Sequence, residues 1–317
     1  MVELFGVAFS YGDDAEDQSL FLQVQQELQL LHRSEALVKA EFARYPGYGI
    51  IRVEAEMLER DVDMPLLLVS VKEALAEAIA GFIVADKEPA ILRHLIIKEF
   101  HYDKTADVEA IEGYCQQSLQ LECGGDDGLL TMNSSPSKQR RKGMLKELLS
   151  HMLGEHPVLN LDGFLAFRIQ EYKEELREIV EYAIDEFMMD RQYQEFISLL
   201  QYFVYIQEAK IPAVHLIHKG GHEFVILNDK MEPIDASDLD TTLRMEVLEK
   251  DINFEDMIVS TLISVSPANI YIHTRDADLT IIKTIRQIFE DRTSVCSYCR
   301  TCDLYLGEGK KHDQLSP

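Results

Sequence analysis

Three cysteines close together near the end of the chain are the residues whose spacing most directly predicts chemistry. Cys296, Cys299 and Cys302 lie in the stretch SVCSYCRTCDL, and two residues separate each cysteine from the next. Structural zinc sites take four ligands from cysteine and histidine in a tetrahedron. His273 supplies the fourth ligand of the predicted set, and His312 in the tail is the competing candidate. The sequence therefore predicts a metal site of three cysteines and one histidine, with zinc as the favoured metal.

The elements around these residues explain how His273, which precedes the cysteines in sequence, is expected to reach them. The stretch NIYIH alternates like a strand, LTIIKTIRQIF repeats apolar residues at helical spacing, and TSVCSY is a second short strand. A strand, a helix and a strand in this order form a right-handed β-α-β unit with parallel strands. Parallel neighbouring strands end at the same edge of a sheet, so we expect His273 beside Cys296.

Other uses of the three thiols stay open. An iron-sulfur cluster is less favoured, because the bacterial ferredoxin run continues to a fourth cysteine followed by proline, whereas Asp303 and Leu304 follow Cys302 here. A redox dithiol normally opens a helix that lowers the pKa of one thiol, and no amphipathic helix is predicted after Cys302. The cysteines can also lie in a tail that binds no metal.

The hairpin AVHLIHKGGHEFVILN contains a second histidine that could do chemistry. If Gly220 and Gly221 form its two-residue turn, His218 pairs with Glu223 across the strands. A carboxylate-oriented imidazole can serve as a general base or a metal ligand. The favoured interpretation is an ordinary exposed cross-strand pair, because the tip of a hairpin is solvated.

The loop HTRDAD, residues His273–Asp278, is the alternative location for a ligand or catalytic site. It precedes a helix N-terminus that can bind an anion, with Arg275 assisting. The favoured interpretation is a connection in which Asp276 and Asp278 complement the helix dipole, with Asp278 as the N-cap. The sequence contains no phosphate-binding glycine-rich loop and no nucleophile elbow of a hydrolase. We therefore assign no catalytic residue and expect a protein without a catalytic site.

The hydrophobic pattern predicts a helix-rich α+β protein with a small mixed sheet that includes the C-terminal β-α-β unit. In chain order we expect a helix-rich α+β region, a basic linker, a long-helix region, a C-terminal α+β region with the cysteines, and a tail. Their bounds are 1–122, 123–142, 143–210, 211–302 and 303–317. The basic residues Lys138, Arg140, Arg141 and Lys142 are interpreted as a solvated charge run at the entry to a helix.

The longest helical pattern begins at Gly163 and ends at Lys210, and we expect it to divide into two helices near Asp190. Core packing is the favoured role of its apolar stripe, since aromatic side chains dominate interiors through their buried area. The predicted buried positions are Phe164, Phe167, Tyr172, Leu176, Ile179, Ala183, Phe187, Phe196, Leu200 and Phe203.

The charge of the chain limits its partners. A formal net charge of -25 opposes binding to nucleic acid or anionic lipid, which requires a concentrated positive field. We expect a protein partner with a basic surface instead. The most apolar run is interrupted by Lys72, Glu73 and Glu77, so no membrane span is predicted. The amino terminus, MVELFGVAF, lacks the features of a signal peptide, which predicts the cytoplasm, where thiols stay reduced.

Three runs in the C-terminal half carry a family resemblance. They are LNLDGFLAFRIQEYKEELREIVEYAIDEF, YQEFISLLQYFVYIQEAK and IKTIRQIFEDRTSVCSYC, and they resemble the YtxC-like family of sporulation proteins from endospore-forming bacteria. The resemblance covers about residues 157–302, with a fainter fit before them. It implies a role in sporulation and supplies no reaction, ligand or catalytic residue, so the three cysteines are argued from their chemistry alone.

Overall fold

The computed structural model confirms a helix-rich α+β fold with mixed sheets. The described residues are 2–10, 14–31, 36–58, 62–120, 138–221, 223–234, 254–296 and 298–306. The chain divides into two compact units, Met1–Met189 and Asp190–Pro317, each with its own sheet and hydrophobic core. Most of the predicted linker, His222 of the hairpin and His312 of the tail lie outside the described residues.

The first unit packs helices against a four-stranded sheet. Its strands are β1 (Val2–Ser10), β2 (Ala36–Tyr45), β3 (Tyr48–Met57) and β4 (Val158–Asn160). Its helices are α1 (Asp14–Leu30), α2 (Met64–Phe82), α3 (Glu88–His94), α4 (Thr105–Gln120), α5 (Lys138–Glu155), α6 (Leu161–Phe167) and the first part of α7 (Gln170–Ile206), with π-helical turns at Ile83–Lys87 and Leu95–Glu99. The sheet order is β2-β3-β1-β4, in which β4 is parallel to β1 and the other neighbours are antiparallel. Val7, Ile51 and Val53 are fully buried between this sheet and the helices.

Strand β2 was not predicted from the sequence. Its stretch ALVKAEFARY contains Lys39 and Glu41, residue types that are depleted in strands. The strand nevertheless pairs with β3 along its length, down to Tyr45 opposite Tyr48. Gly47, with φ of +90°, makes the turn between them in a conformation that suits glycine. Pairing with β3 along its whole length therefore outweighs the local preference of β2.

A buried ion pair joins α5 to α3. Arg141 is 1% exposed, and its Nε and Nη2 donate to the two carboxylate oxygens of Glu88 at 3.0 and 3.1 Å. The hydroxyl of Tyr172 also donates to Glu88, and burial together with that carboxylate raises the pKa of Tyr172 far above its usual range. The prediction of a solvated charge run is therefore wrong for Arg141. A buried guanidinium requires such a bidentate partner.

The second unit has a mixed sheet of order β6-β5-β7-β8. Among its described residues, the strands are β5 (Ile211–Gly220), β6 (Glu223–Asn228), β7 (Pro267–His273) and β8 (Thr293–Cys296). The described helices after α7 are α8 (Phe254–Val265), α9 (Thr280–Phe289) and α10 (Arg300–Leu306). Strands β5, β7 and β8 are parallel, and β6 is antiparallel to β5. The predicted C-terminal β-α-β unit, formed by β7, α9 and β8, is confirmed.

The two faces of this second sheet are covered by different elements. Val214, Leu216 and Ile272 lie in a core with α8, α9 and the last part of α7. Side chains alternate between faces along a strand, so His215 and Ile217 lie on the opposite face. Ile217 is fully buried there, and α10 contacts β5. The short helix α10 therefore covers part of a face that the longer helices leave uncovered.

The long helical pattern differs from the prediction in two respects. Helix α7 runs from Gln170 to Ile206 without a break at Asp190. Phe167, Phe196 and Phe203, predicted as buried, are 77%, 55% and 46% exposed. In the second unit the buried positions of α7 include Ile197 and Val204, each one residue after a predicted position. One residue turns a helix face by about 100°, so a small phase error exchanges buried and exposed residues.

The hairpin register also differs from the prediction. His218 pairs with Phe224, and Glu223 pairs with Gly220, because the ladder shifts between His218 and Gly220. Gly220 and Gly221 have φ of +116° and +58°, which only glycine adopts readily. His218 is 7% exposed, and its Nδ1 and Nε2 lie 3.0 Å from the Thr274 hydroxyl and 3.1 Å from the Gly221 carbonyl oxygen. The expected exposed pair of His218 with Glu223 is therefore wrong.

Candidate metal centre

Two of the predicted ligands lie at the ends of neighbouring parallel strands. His273 is the last residue of β7 and Cys296 the last residue of β8. The register places Ile270 opposite Thr293 and His273 opposite Cys296. The expectation that a parallel pair would bring this imidazole and this thiol side by side is confirmed.

The other two cysteines reach the site from α10. Cys299 immediately precedes this helix and Cys302 lies in its first turn. No amphipathic helix was predicted after Cys302, and the structure has a short helix, α10, that begins at Arg300 and contains Cys302. A helix of seven residues is too short to give a clear periodic pattern in sequence. The two-residue spacing allows the chain to turn after β8 and return all three thiols to one point.

Four of the distances between the donor atoms are close to the edges of a zinc tetrahedron. Zinc lies about 2.3 Å from sulfur and about 2.0–2.1 Å from nitrogen, which gives edges of about 3.8 Å between sulfurs and about 3.5 Å between sulfur and nitrogen. Sγ of Cys302 lies 3.7 Å from Sγ of Cys299 and 3.8 Å from Sγ of Cys296. Nδ1 of His273 lies 3.4 Å from Sγ of Cys302 and 3.6 Å from Sγ of Cys299. All four donor atoms lie within 4.8 Å of one another.

The histidine of this group is held in the form that binds metal. His273 is 3% exposed, and burial lowers its pKa, with a smaller lowering from the neighbouring His215. A lowered pKa keeps the imidazole neutral near pH 7, and a neutral imidazole has a lone pair to donate. The ring nitrogen that faces the sulfurs is Nδ1.

The thiols differ in how readily they ionise. Burial, followed by hydrogen bonding with Cys299 and Cys302, raises the pKa of Cys296 to about 11. Burial also raises the pKa of Cys299, but donation from the backbone N–H of Cys302 and from neighbouring side chains outweighs it and lowers that pKa to about 7. Outside the group, burial raises the pKa of Cys115 to about 12. Cys299 therefore forms a thiolate, the species that binds metal and reacts with electrophiles, more readily than Cys296 or Cys115.

We expect iodoacetamide at about pH 8 to alkylate Cys299 before Cys115 in reduced, metal-free protein, because at that pH Cys299 is mainly thiolate whereas Cys115 is protonated. Mass spectrometry of peptides from the native, briefly treated protein measures the order. Zinc added before the reagent should protect Cys299 and leave Cys115 slow. Equal rates at the two cysteines would contradict the environments described for them.

The loop between β7 and α9 makes contacts inside the unit. Arg275 Nη2 donates to the carbonyl oxygen of Leu306 at 3.0 Å, so a cation lies at the C-terminal end of α10, where it complements the helix dipole. Thr274 Oγ1 bonds the backbone carbonyl and N–H of Asp276 at 3.0 Å each. Helix α9 has Leu279 at its N-cap position and no side-chain cap, so the prediction of Asp278 as the N-cap is wrong by one residue.

His215 is a residue of this site that was not predicted from the sequence. His215 lies on β5, the strand next to β7, and its Nδ1 is 3.0 Å from Nε2 of His273. The alternation of apolar residues around His215 predicts a strand. It does not predict that this strand lies beside β7, because a single sequence does not give the order of strands in a sheet.

Within the described residues, no helix combines the length and the apolar character needed to cross a bilayer.

Comparison with known proteins identifies the family. Residues 73–294 match the model of the YtxC-like family, a range that includes His273 and ends before Cys296. The chain is 29% identical over 201 residues to a protein named "Uncharacterized protein YtxC" from Bacillus subtilis strain 168. The aligned region covers 58% of this chain and 67% of that relative. No solved structure matches. The chain belongs to the YtxC-like family.

Proposed function

We propose that His273, Cys296, Cys299 and Cys302 bind one zinc ion that fixes α10 on the sheet of the second unit. The observation that carries this proposal is the close spacing of the four donor atoms, all within 4.8 Å of one another, at the ends of two strands and the start of a helix. Three thiolates and one imidazole are a common ligand set of structural zinc.

The donor set supports a structural role over a catalytic one. A catalytic zinc site keeps one coordination position for water or substrate, whereas a structural site fills all four with protein ligands. Here His273 and the three cysteines together supply four corners. The zinc would cross-link the ends of β7 and β8 to α10.

The spacing also supports a single metal ion over an iron-sulfur cluster. A cluster places several iron and sulfide atoms between its cysteine sulfurs and needs a wider separation of the ligands. The donor atoms here all lie within 4.8 Å of one another, which suits coordination of one ion. Soft thiolate ligands in a tetrahedron favour zinc among the common divalent metals.

We propose further that the protein is a non-catalytic interaction or scaffolding protein that acts in sporulation, in the cytoplasm. Reduced thiols in that compartment support metal binding over disulfide formation. The formal net charge of -25 supports a protein partner with a basic surface and opposes nucleic acid. The alternative of a ligand or catalytic site in the loop His273–Asp278 receives less support, because Arg275 already donates to α10.

Metal analysis of the purified chain tests this proposal. Protein prepared under reducing, anaerobic conditions is expected to contain about one zinc per chain by elemental mass spectrometry. The variant His312→Ala should retain that zinc if His273 is the fourth ligand. Loss of zinc from His312→Ala alone would assign the tail histidine instead, and wild-type protein without stoichiometric metal would refute the site.

A further inference from the structure

His215 contacts His273 from the side opposite the sulfurs. Nε2 of His273 lies 3.0 Å from Nδ1 of His215, while Nδ1 of His273 lies 3.4 Å from Sγ of Cys302. The two rings are almost parallel, with an interplanar angle of 22° and centroids 5.3 Å apart. The imidazole of His273 is therefore held between a thiol group on one nitrogen and a second imidazole on the other.

The position of the protons follows from this arrangement. If Nδ1 of His273 donates its lone pair to a metal, a neutral ring carries its proton on Nε2. That N–H then has Nδ1 of His215 as its acceptor at hydrogen-bond distance. His215 in turn carries its own proton on Nε2.

We infer that His215 is the positioning residue of the metal centre, which accepts the Nε2 proton of His273 and so directs Nδ1 of His273 toward the three sulfurs. This inference rests on the proposed function, because it assigns a role toward the metal held by those four residues. Histidines that bind metals generally donate the other ring N–H to such a partner, which fixes the tautomer and the ring orientation.

The surroundings of His215 suit an acceptor. The register of β5 and β7 places His215 opposite Tyr271, two residues before His273, and its ring stacks on Tyr271 with centroids 5.2 Å apart. This stacking accompanies a position of the His215 ring in which Nδ1 lies at hydrogen-bond distance from Nε2 of His273.

Two substitutions of His215 separate its hydrogen bond from its ring packing. His215→Phe keeps a flat ring against Tyr271 and His273 but removes the acceptor, whereas His215→Asn removes the ring and keeps an oxygen near the position of Nδ1. Loss of such a partner typically weakens metal affinity by about 10–100-fold. We expect that loss for His215→Phe and a much smaller one for His215→Asn, measured by competition with a chromophoric zinc chelator.

His218→Phe provides the matched control. His218 is also a buried histidine of β5, but its two ring nitrogens bond Thr274 and Gly221. The zinc affinity of His218→Phe should equal that of the wild-type protein. Nitrogen-15 spectra of histidine side chains add a readout that a loss of stability would not mimic: His273 should carry its proton on Nε2 in the zinc-bound wild type, and that proton should exchange faster in His215→Phe.

The outcomes distinguish this inference from the proposal beneath it. Wild-type protein that fails to bind zinc would overturn both. Wild-type protein that binds zinc, together with unchanged affinity in His215→Phe, would overturn only the role of His215. Equal weakening in His215→Phe and His215→Asn would also overturn it, because the acceptor would then make no difference.

Discussion

Replacement of Cys299 by serine is expected to abolish stoichiometric zinc binding and to release α10 from the sheet of the second unit. The hydroxyl of serine is a poor ligand for zinc, so only three of the four corners would remain. Structural zinc contributes about 10–16 kcal/mol of apparent binding free energy in zinc-finger peptides, and that binding free energy is folding free energy. We therefore expect the second unit of Cys299→Ser to lose stability on the order of several kcal/mol, measured by denaturant unfolding in the presence of zinc.

Hydrogen exchange locates this effect. Amide protons of α10 should exchange much faster in Cys299→Ser than in zinc-bound wild type, while those of the first-unit core change little. Cys115→Ser is the matched control, because Cys115 is a buried cysteine of the first unit and should be dispensable for zinc. Wild-type protein treated with a strong chelator should behave like Cys299→Ser. Retention of a full zinc equivalent by Cys299→Ser would contradict the proposed ligand set.

Arg141→Ala is expected to destabilise the protein by about 3–5 kcal/mol, because it leaves the carboxylate of Glu88 buried without its cation. Glu88 is 5% exposed and accepts hydrogen bonds from Arg141 and Tyr172. Taking such a charge out of water without a partner costs far more than the loss of a surface ion pair. Equilibrium unfolding in guanidinium chloride measures the change.

Arg140→Ala is the matched control for this prediction. Arg140 is the neighbouring arginine on α5; its side chain is 64% exposed in its ion pair with Glu175, whose side chain is 16% exposed. Because the Arg140 side chain is largely solvated, the control should lose clearly less stability than Arg141→Ala. The double variant Arg141→Met with Glu88→Gln should be more stable than Arg141→Ala, because it removes both charges. If Arg141→Ala and Arg140→Ala lost the same stability, the buried pair would not have the role described here.

The parts of the fold that could be predicted are those in which local pattern and chain order decide the result. Helix α9 buries Ile281, Ile282 and Ile285 at helical spacing, and a strand, a helix and a strand in sequence have one usual handedness. These two facts predict His273 beside Cys296, and the register of β7 and β8 confirms it. The site was accessible to sequence reasoning because its geometry follows from a local unit.

The parts that could not be predicted depend on contacts between distant segments. Arginine is a residue type that usually lies at the surface. The burial of Arg141 follows from its pairing with Glu88, which lies 53 positions earlier in the chain. His215 is part of the site because β5 is the neighbour of β7, a choice that periodicity in a single strand does not encode. Strand β2 forms because β3 offers a partner along its whole length. In each case a tertiary contact outweighs the preference of the local sequence.

X-ray absorption at the zinc edge of the zinc-loaded chain tests the central claim most directly, because it reports the atoms bound to the metal without a substitution. The four residues predict a first shell of three sulfurs at about 2.3 Å and one nitrogen at about 2.0–2.1 Å. A shell of nitrogen and oxygen alone, or one with fewer than three sulfurs, would contradict binding by His273, Cys296, Cys299 and Cys302.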